Sequence, residues 1–185
     1  GQPGPYAYGR SHADGANMIA GILARYGGIL IWRAFVYGHG ETDRAKKAYA
    51  DFKPLDGKFL PNVTIQVKNG PIDFQPREPV HPMFGGMEKT NIFMEFQIAQ
   101  EYLGQGNHLV YLAPMWKEIL DFDTKIKQEK SQVKHTLSGI GAVSNTGNNS
   151  DWCGSLFHTA NLYAYGRLSW NFELSSEHIA REWAL

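Results

Sequence analysis

Cysteine is almost missing from this chain. Its 185 residues include one, Cys153, so no intrachain disulfide can form. A lone cysteine reads as a small packing residue rather than a nucleophile. Long apolar runs are also missing, and nothing approaches the length of a membrane span. Neither sign of charge is in excess: 18 Lys and Arg stand against 18 Asp and Glu. That balance argues against nucleic acid or an acidic membrane as the main partner. No GxGxxG follows a strand-like run and no P-loop is present, so the nucleotide-binding folds lose support. His12, Asp14, His39, His81 and His158 show no metal-ligand spacing such as HExxH and read as structural or surface residues. Internal repeats and low-complexity tracts are absent.

What is present is the material of one globular domain, with 43% apolar and 19% charged residues. Aromatics reach 13%, with five Trp and nine Tyr. They suit a large core, or a carbohydrate site in which indole and phenol faces pack on sugar C–H surfaces. Two sequons, Asn62-Val63-Thr64 and Asn148-Asn149-Ser150, arise readily by chance. Residue 1 is Gly and the opening GQPGPYAYG resembles an interior loop, while the last helix stops at Leu185 without a cap. The ends therefore read as cut from a longer chain, with no targeting signal legible.

The periodicity predicts a helix over 12–25, started by Ser11, with Met18, Ile19, Ile22 and Leu23 on one face. ILIWRAFVY then reads as a strand buried on both faces. Thr42 caps a second helix, with Ala45, Ala48, Tyr49 and Phe52 in register and Pro54 as its stop. NVTIQVK and NIFMEFQI are strands, HLVYLAP a short extended piece, and MWKEILDFDTKIKQ a helix. SGIGAVSN is a strand with glycines where neighbours come close. Segments 155–168 and 176–184 are helices. Buried strands alternating with helices mean a parallel α/β sheet. Polar residues at the strands' carboxyl ends fit a TIM barrel, whose chemistry sits at that face. Four strands make half of one.

Each strand ends in groups that carry chemistry. ILIWR ends in Trp32 and Arg33. TIQVK ends in Lys68, with Asp73 just beyond. FMEFQIAQE ends in Glu101, and Trp152 lies after GAVSN. On one rim, Arg33 and Lys68 suit an anionic ligand, since Arg binds a carboxylate through two hydrogen bonds and Lys adds a point charge. Two nearby carboxylates suit general acid–base work, of which glycoside cleavage is one form. The plain alternative is that Arg33 and Lys68 close structural ion pairs with Asp73 and Glu101. Glu95, on the face opposite Phe96, is a further candidate acid. Arg77 and Glu78 read as a pair within their turn.

Six stretches carry a closer resemblance: GQPGPYAYGRSHADGANMIA, YGGILIWRAFVYG, DRAKKAYADFKPLDGKF, QVKNGPIDFQPREP, QEYLGQGNHLVYLAPMWKEIL and NLYAYGRLSW. Together they resemble the glycoside hydrolase family 67 α-glucuronidases across nearly the whole chain. GHGE at 38–41 and KIKQEKSQVKHTL fit less well. The resemblance implies the C-terminal half of a (β/α)8 TIM barrel over 1–170, truncated at both ends, and the start of a helical domain over 171–185. It implies an inverting enzyme that removes (4-O-methyl-)glucuronic acid, α-1,2-linked to xylose, from glucuronoxylan-derived oligosaccharides. Asp73 and Glu101 fall on the family's two water-activating carboxylates, and this match outweighs Glu95. Arg33 and Lys68 fall on its uronate-binding cations, with Trp32 and Trp152 as sugar-packing candidates. No metal or organic cofactor is implied, and the parent enzyme is expected to be a homodimer. The family's general-acid glutamate lies directly before the GQPGPY stretch, so this polypeptide alone is expected to be inactive. Two rival readings remain: a uronic-acid-binding module without catalysis, and a phosphate-binding barrel using SNTGNNS.

Overall fold

The computed structural model describes residues 4–35, 43–68, 79–98, 110–126, 129–144, 148, 150 and 156–185. Ser11 opens α1 (His12–Ala24) with a reciprocal cap: its Oγ accepts from the Asp14 N–H, and the Asp14 carboxylate accepts from the Ser11 N–H. The face that α1 buries is not the expected one. Ala13, Ala16 and Ala20 are buried, whereas Met18, Ile19 and Ile22 are exposed. The small alanine face lets the helix sit close to the sheet, and size rather than hydropathy decides which side turns inward.

Strand β1 (Leu30–Arg33) follows and is shorter than the apolar run foretold. It is also not buried on both faces, since Ile31 and Arg33 are exposed. Helix α2 (Arg44–Phe52) is capped by Asp43, whose side chain accepts from the Lys46 N–H; Thr42 lies outside the described residues. Strand β2 (Val63–Lys68), the short turn α3 (Met83–Gly86) and β3 (Asn91–Gln97) come next. Helix α4 (Ala113–Asp121) starts earlier than foretold, with Pro114 in its first turn, and ends seven residues before Gln128. Strand β4 (Gly139–Val143), α5 (Leu156–Trp170) and α6 (Ser176–Ala184) complete the chain; the Ser175 hydroxyl caps α6.

The four strands form one sheet in the order β1-β2-β3-β4, every neighbouring pair parallel. This is an α/β fold compatible with part of a barrel. Strand alternation divides the sheet into two unlike faces. Val63, Ile65 and Val67 of β2 and Ile92, Met94 and Phe96 of β3 are all buried in the main core, with Phe52 of α2, Trp116 of α4 and Leu168 of α5. Phe96 meets Trp116 at 5.3 Å between ring centroids, and each such fully buried side chain contributes about 1.5–3 kcal/mol.

The second face carries Ile31, Arg33, Thr64, Gln66, Lys68, Phe93, Glu95, Gln97, Gly139 and Gly141. The glycines of β4 make room for Phe93, for a Cβ on Gly141 would lie 2.6 Å from its ring. At the amino ends of the strands the Thr64 and Ser138 hydroxyls share a hydrogen bond, and Ser138 also donates to the Ile92 carbonyl. The sequon residue Asn62 is committed inside the fold, its amide donating to the carbonyls of Ala20 and Gly28.

Candidate functional site

Two cations leave adjacent strands on the second face. Arg33 is the last residue of β1 and Lys68 the last of β2, and parallel pairing sets Arg33 beside Gln66 and Lys68 beside Glu95 of β3. Arg33 Nη2 stands 3.5 Å from Glu95 Oε2, and Lys68 Nζ stands 3.9 Å from Glu95 Oε1. The Gln66 side-chain amide also donates to Glu95 Oε2. Both cations lie over the ring of Phe35, Arg33 Cζ at 4.6 Å and Lys68 Nζ at 4.5 Å from its centroid.

The three charges differ in depth. The Glu95 side chain is 2% exposed, Lys68 11% and Arg33 53%. Glu95 is thus the floor of the cluster, Lys68 its wall, and the Arg33 guanidinium the part presented outward. Glu95 Oε1 accepts no hydrogen bond among the described residues. The arrangement can receive an anion, because an open guanidinium keeps donors free beside a second positive charge.

Arg33 and Lys68 are therefore brought together, as the strand ends foretold. Among the described residues the carboxylate that joins them is Glu95; the sequence had also offered Asp73 and Glu101 as ion-pair partners. Asp73, Glu101 and Trp152 lie outside the described residues, as do Arg77 and Glu78. Trp32 takes no part in the cluster. Alternation turns it to the helix-covered face, where its indole N–H donates to His12 Nδ1 at 3.3 Å and its ring packs beside Gly15 of α1. His12 stacks on Phe52 at 4.6 Å, and burial depresses its pKa, opposed by the Asp51 charge. His81 is likewise structural: its Nδ1 accepts from the Met83 N–H, and burial lowers its pKa to about 4. Gln66 and Phe35 were missed from sequence. Each is two residues from a cation along its strand direction, which is the signal that could have found them.

Among the described residues, no group of three or more His, Cys, Asp and Glu is placed to hold a metal ion, and no helix is long and apolar enough to cross a membrane.

A parallel sheet with paired cations at its carboxyl edge defines an α/β protein that gathers positive charge at the end where such sheets usually bind ligands. The family model described as the glycosyl hydrolase family 67 middle domain matches residues 1–152, and that of the family 67 C-terminus matches 153–185. This chain belongs to glycosyl hydrolase family 67. It is 52% identical over 198 aligned positions to a protein of Aspergillus fumigatus named probable alpha-glucuronidase A, and 50% identical over 200 to alpha-glucuronidase A of Emericella nidulans. A third relative, alpha-glucuronidase A of Aspergillus tubingensis, is 47% identical. Each alignment covers 99% of this chain and 24% of the relative, so the chain spans about a quarter of the length of these curated proteins.

Proposed function

We propose that this chain is the second half of the (β/α)8 catalytic barrel of an α-glucuronidase, with residues 171–185 opening a helical domain. The helix-covered face of the sheet would be the outer wall of the barrel, and the face bearing Arg33, Gln66, Lys68 and Glu95 its interior. The substrate is a glucuronoxylan-derived oligosaccharide carrying an α-1,2-linked, optionally 4-O-methylated glucuronic acid. The observation that carries this reading is the meeting of Arg33 and Lys68 at the carboxyl ends of neighbouring strands. Those cations fit a uronate carboxylate, and Asp73 follows Lys68 by five residues in the chain.

In this reading the sugar's carboxylate docks on the Arg33 guanidinium, with Lys68 adding its charge from the wall. Asp73 and Glu101 orient and deprotonate a water on the face of the sugar opposite the leaving xylose. A glutamate preceding Gly1 in the full-length enzyme protonates the leaving oxygen. The displacement inverts the anomeric carbon, so the acid and base stand about 6.5–9.5 Å apart to admit the water. Positive charge that develops on the ring in the transition state is favoured by the nearby carboxylates. Trp152 packs on the sugar, and the full-length enzyme works as a homodimer.

The direct test is the incubation of a full-length enzyme carrying this chain with aldouronic acids. Release of free glucuronic acid supports the reading. Calorimetric binding of glucuronic acid without turnover would leave a binding module and remove the hydrolase. The isolated 185 residues should neither turn over substrate nor melt cooperatively, since half a barrel leaves two open strand edges and exposed apolar surface.

A further inference from the structure

Trp32 and Arg33 are consecutive residues of β1, and alternation sends their side chains to opposite faces of the sheet. They are held very differently. The Arg33 guanidinium is 53% exposed, and among the described residues its nearest acidic oxygen is Glu95 Oε2 at 3.5 Å. Such a side chain is aimed more by its backbone than by its own contacts. Trp32, in contrast, is tied to α1. Its indole N–H donates to His12 Nδ1 at 3.3 Å. Its ring comes so near Gly15 that a Cβ there would lie 3.3 Å from Cη2, and Pro5 Cγ stands 3.1 Å from the same point.

His12 is a fixed acceptor. It is the first residue of α1, directly after the reciprocal cap of Ser11 and Asp14. Its ring stacks on Phe52, a fully buried residue of α2, and meets the ring of Tyr6 edge-on at 5.2 Å. Accepting the indole N–H at Nδ1 requires a neutral imidazole with its proton on Nε2, because an imidazolium has no lone pair to offer. Burial depresses the His12 pKa from 6.5 in that direction; the Asp51 charge opposes the shift and the Lys47 charge adds to it.

We propose that Trp32 is a positioning residue for Arg33: the Trp32–His12 hydrogen bond fixes the roll of β1 and so aims the guanidinium at the entering carboxylate. The inference rests on the reading that Arg33 receives the uronate. Two side chains on consecutive backbone units and opposite faces move as the arms of a lever. A roll of the strand that frees the indole carries the arginine with it, and the paired hydrogen bonds of a guanidinium to a carboxylate weaken steeply with misalignment.

A tryptophan that only fills the core would move stability and show no coupling to Arg33, so the coupling is the readout. Calorimetry measures glucuronate binding by a full-length enzyme carrying this chain, as wild type, Trp32→Phe, Arg33→Ala and the double variant. Trp32→Phe keeps an aromatic ring and removes the N–H donor. It should weaken glucuronate binding by about 3- to 10-fold. In the Arg33→Ala background the same substitution should change binding by less than about two-fold. His12→Phe keeps a ring to stack on Phe52, removes the acceptor and should reproduce Trp32→Phe. Combined with it, His12→Phe should weaken binding no further. Either variant suffices should the other fail to fold.

Equal losses with and without Arg33 overturn the inference, for Trp32 would then act on the fold at large. Unchanged affinity in folded Trp32→Phe or folded His12→Phe overturns it as well. An Arg33→Ala enzyme that binds glucuronate like wild type removes the uronate reading itself. One that loses affinity while Trp32→Phe keeps it removes this inference alone.

Discussion

Two ion clusters of similar make-up lie in different parts of this chain. At the carboxyl ends of β1 and β2, Arg33 and Lys68 share Glu95. At the junction of α4, residues 133–135 and the α5–α6 connection, Lys134 and Lys117 share Asp121 and Glu173. In the second cluster the ammonium groups are saturated. Lys134 Nζ lies 2.8 Å from Glu173 Oε1 and 3.1 Å from Asp121 Oδ1, and Lys117 Nζ lies 3.0 Å from Asp121 Oδ2 and donates to the Phe172 carbonyl. In the first, the contacts to Glu95 are longer, at 3.5 and 3.9 Å, and the guanidinium is half open. The shorter, closed geometry ties elements together. The open geometry leaves guanidinium donors of Arg33 for something else. Charge alone does not mark a site; unspent hydrogen-bonding capacity beside charge does.

The comparison yields an ordered set of expectations for a full-length enzyme carrying this chain. The largest effect belongs to the proposed base: Asp73→Ala or Glu101→Ala should lower kcat by about three orders of magnitude, read by steady-state kinetics on aldouronic acids. Next, Arg33→Ala should raise KM by about 10- to 100-fold while kcat changes far less, because the lost contact is a charge-assisted one made in the ground state as well. Near-normal KM in that variant would place the open cluster with the closed one. Third, Lys134→Met should cost about 1–2 kcal/mol in stability and leave kcat and KM untouched. That figure is discounted because Asp121 and Glu173 are 37% and 66% exposed.

The smallest effect is one of pH. Burial opposes the charge on Lys134, but hydrogen bonds to Glu173 and Asp121 outweigh it and hold the ammonium above its ordinary 10.5. Burial also opposes the charge on Asp121, and hydrogen bonds from Lys117 and Lys134 outweigh it and hold the carboxyl below its ordinary 3.8. A raised lysine stabilises fully below 10.5 and is lost as pH climbs through its folded value. A depressed aspartate stabilises above 3.8 and is lost as pH falls through its folded value. The gap in melting temperature between wild type and Lys134→Met should therefore be widest between these limits and narrow beyond both.

Much of the fold was legible in the chain. The order of strands and helices follows from apolar runs of strand length alternating with amphipathic segments, and Ser11 is a cap that local chemistry alone identifies. The inward face of α1 was not legible. Three alanines beat Met18, Ile19 and Ile22 because close approach to the sheet favours small side chains. At the site, Arg33 and Lys68 could be read as strand-end cations. That Glu95 joins them could not be read there, because it depends on register between strands. The pairing of Lys68 with Glu95 is set by β2 and β3 together and is written in neither alone. Trp32 lies apart from them for a related reason. Adjacent residues on a strand point to opposite faces, so a tryptophan next to a strand-end arginine turns away from it.

The central claim is that the cation pair receives the carboxylate of an α-linked glucuronic acid while Asp73 and Glu101 work on a water behind it. An NMR time course of a full-length enzyme carrying this chain, acting on an α-1,2-linked aldouronic acid, tests it most directly. The account predicts that β-glucuronic acid appears first and then mutarotates. The α-anomer appearing first, or no release of glucuronic acid at all, would contradict it.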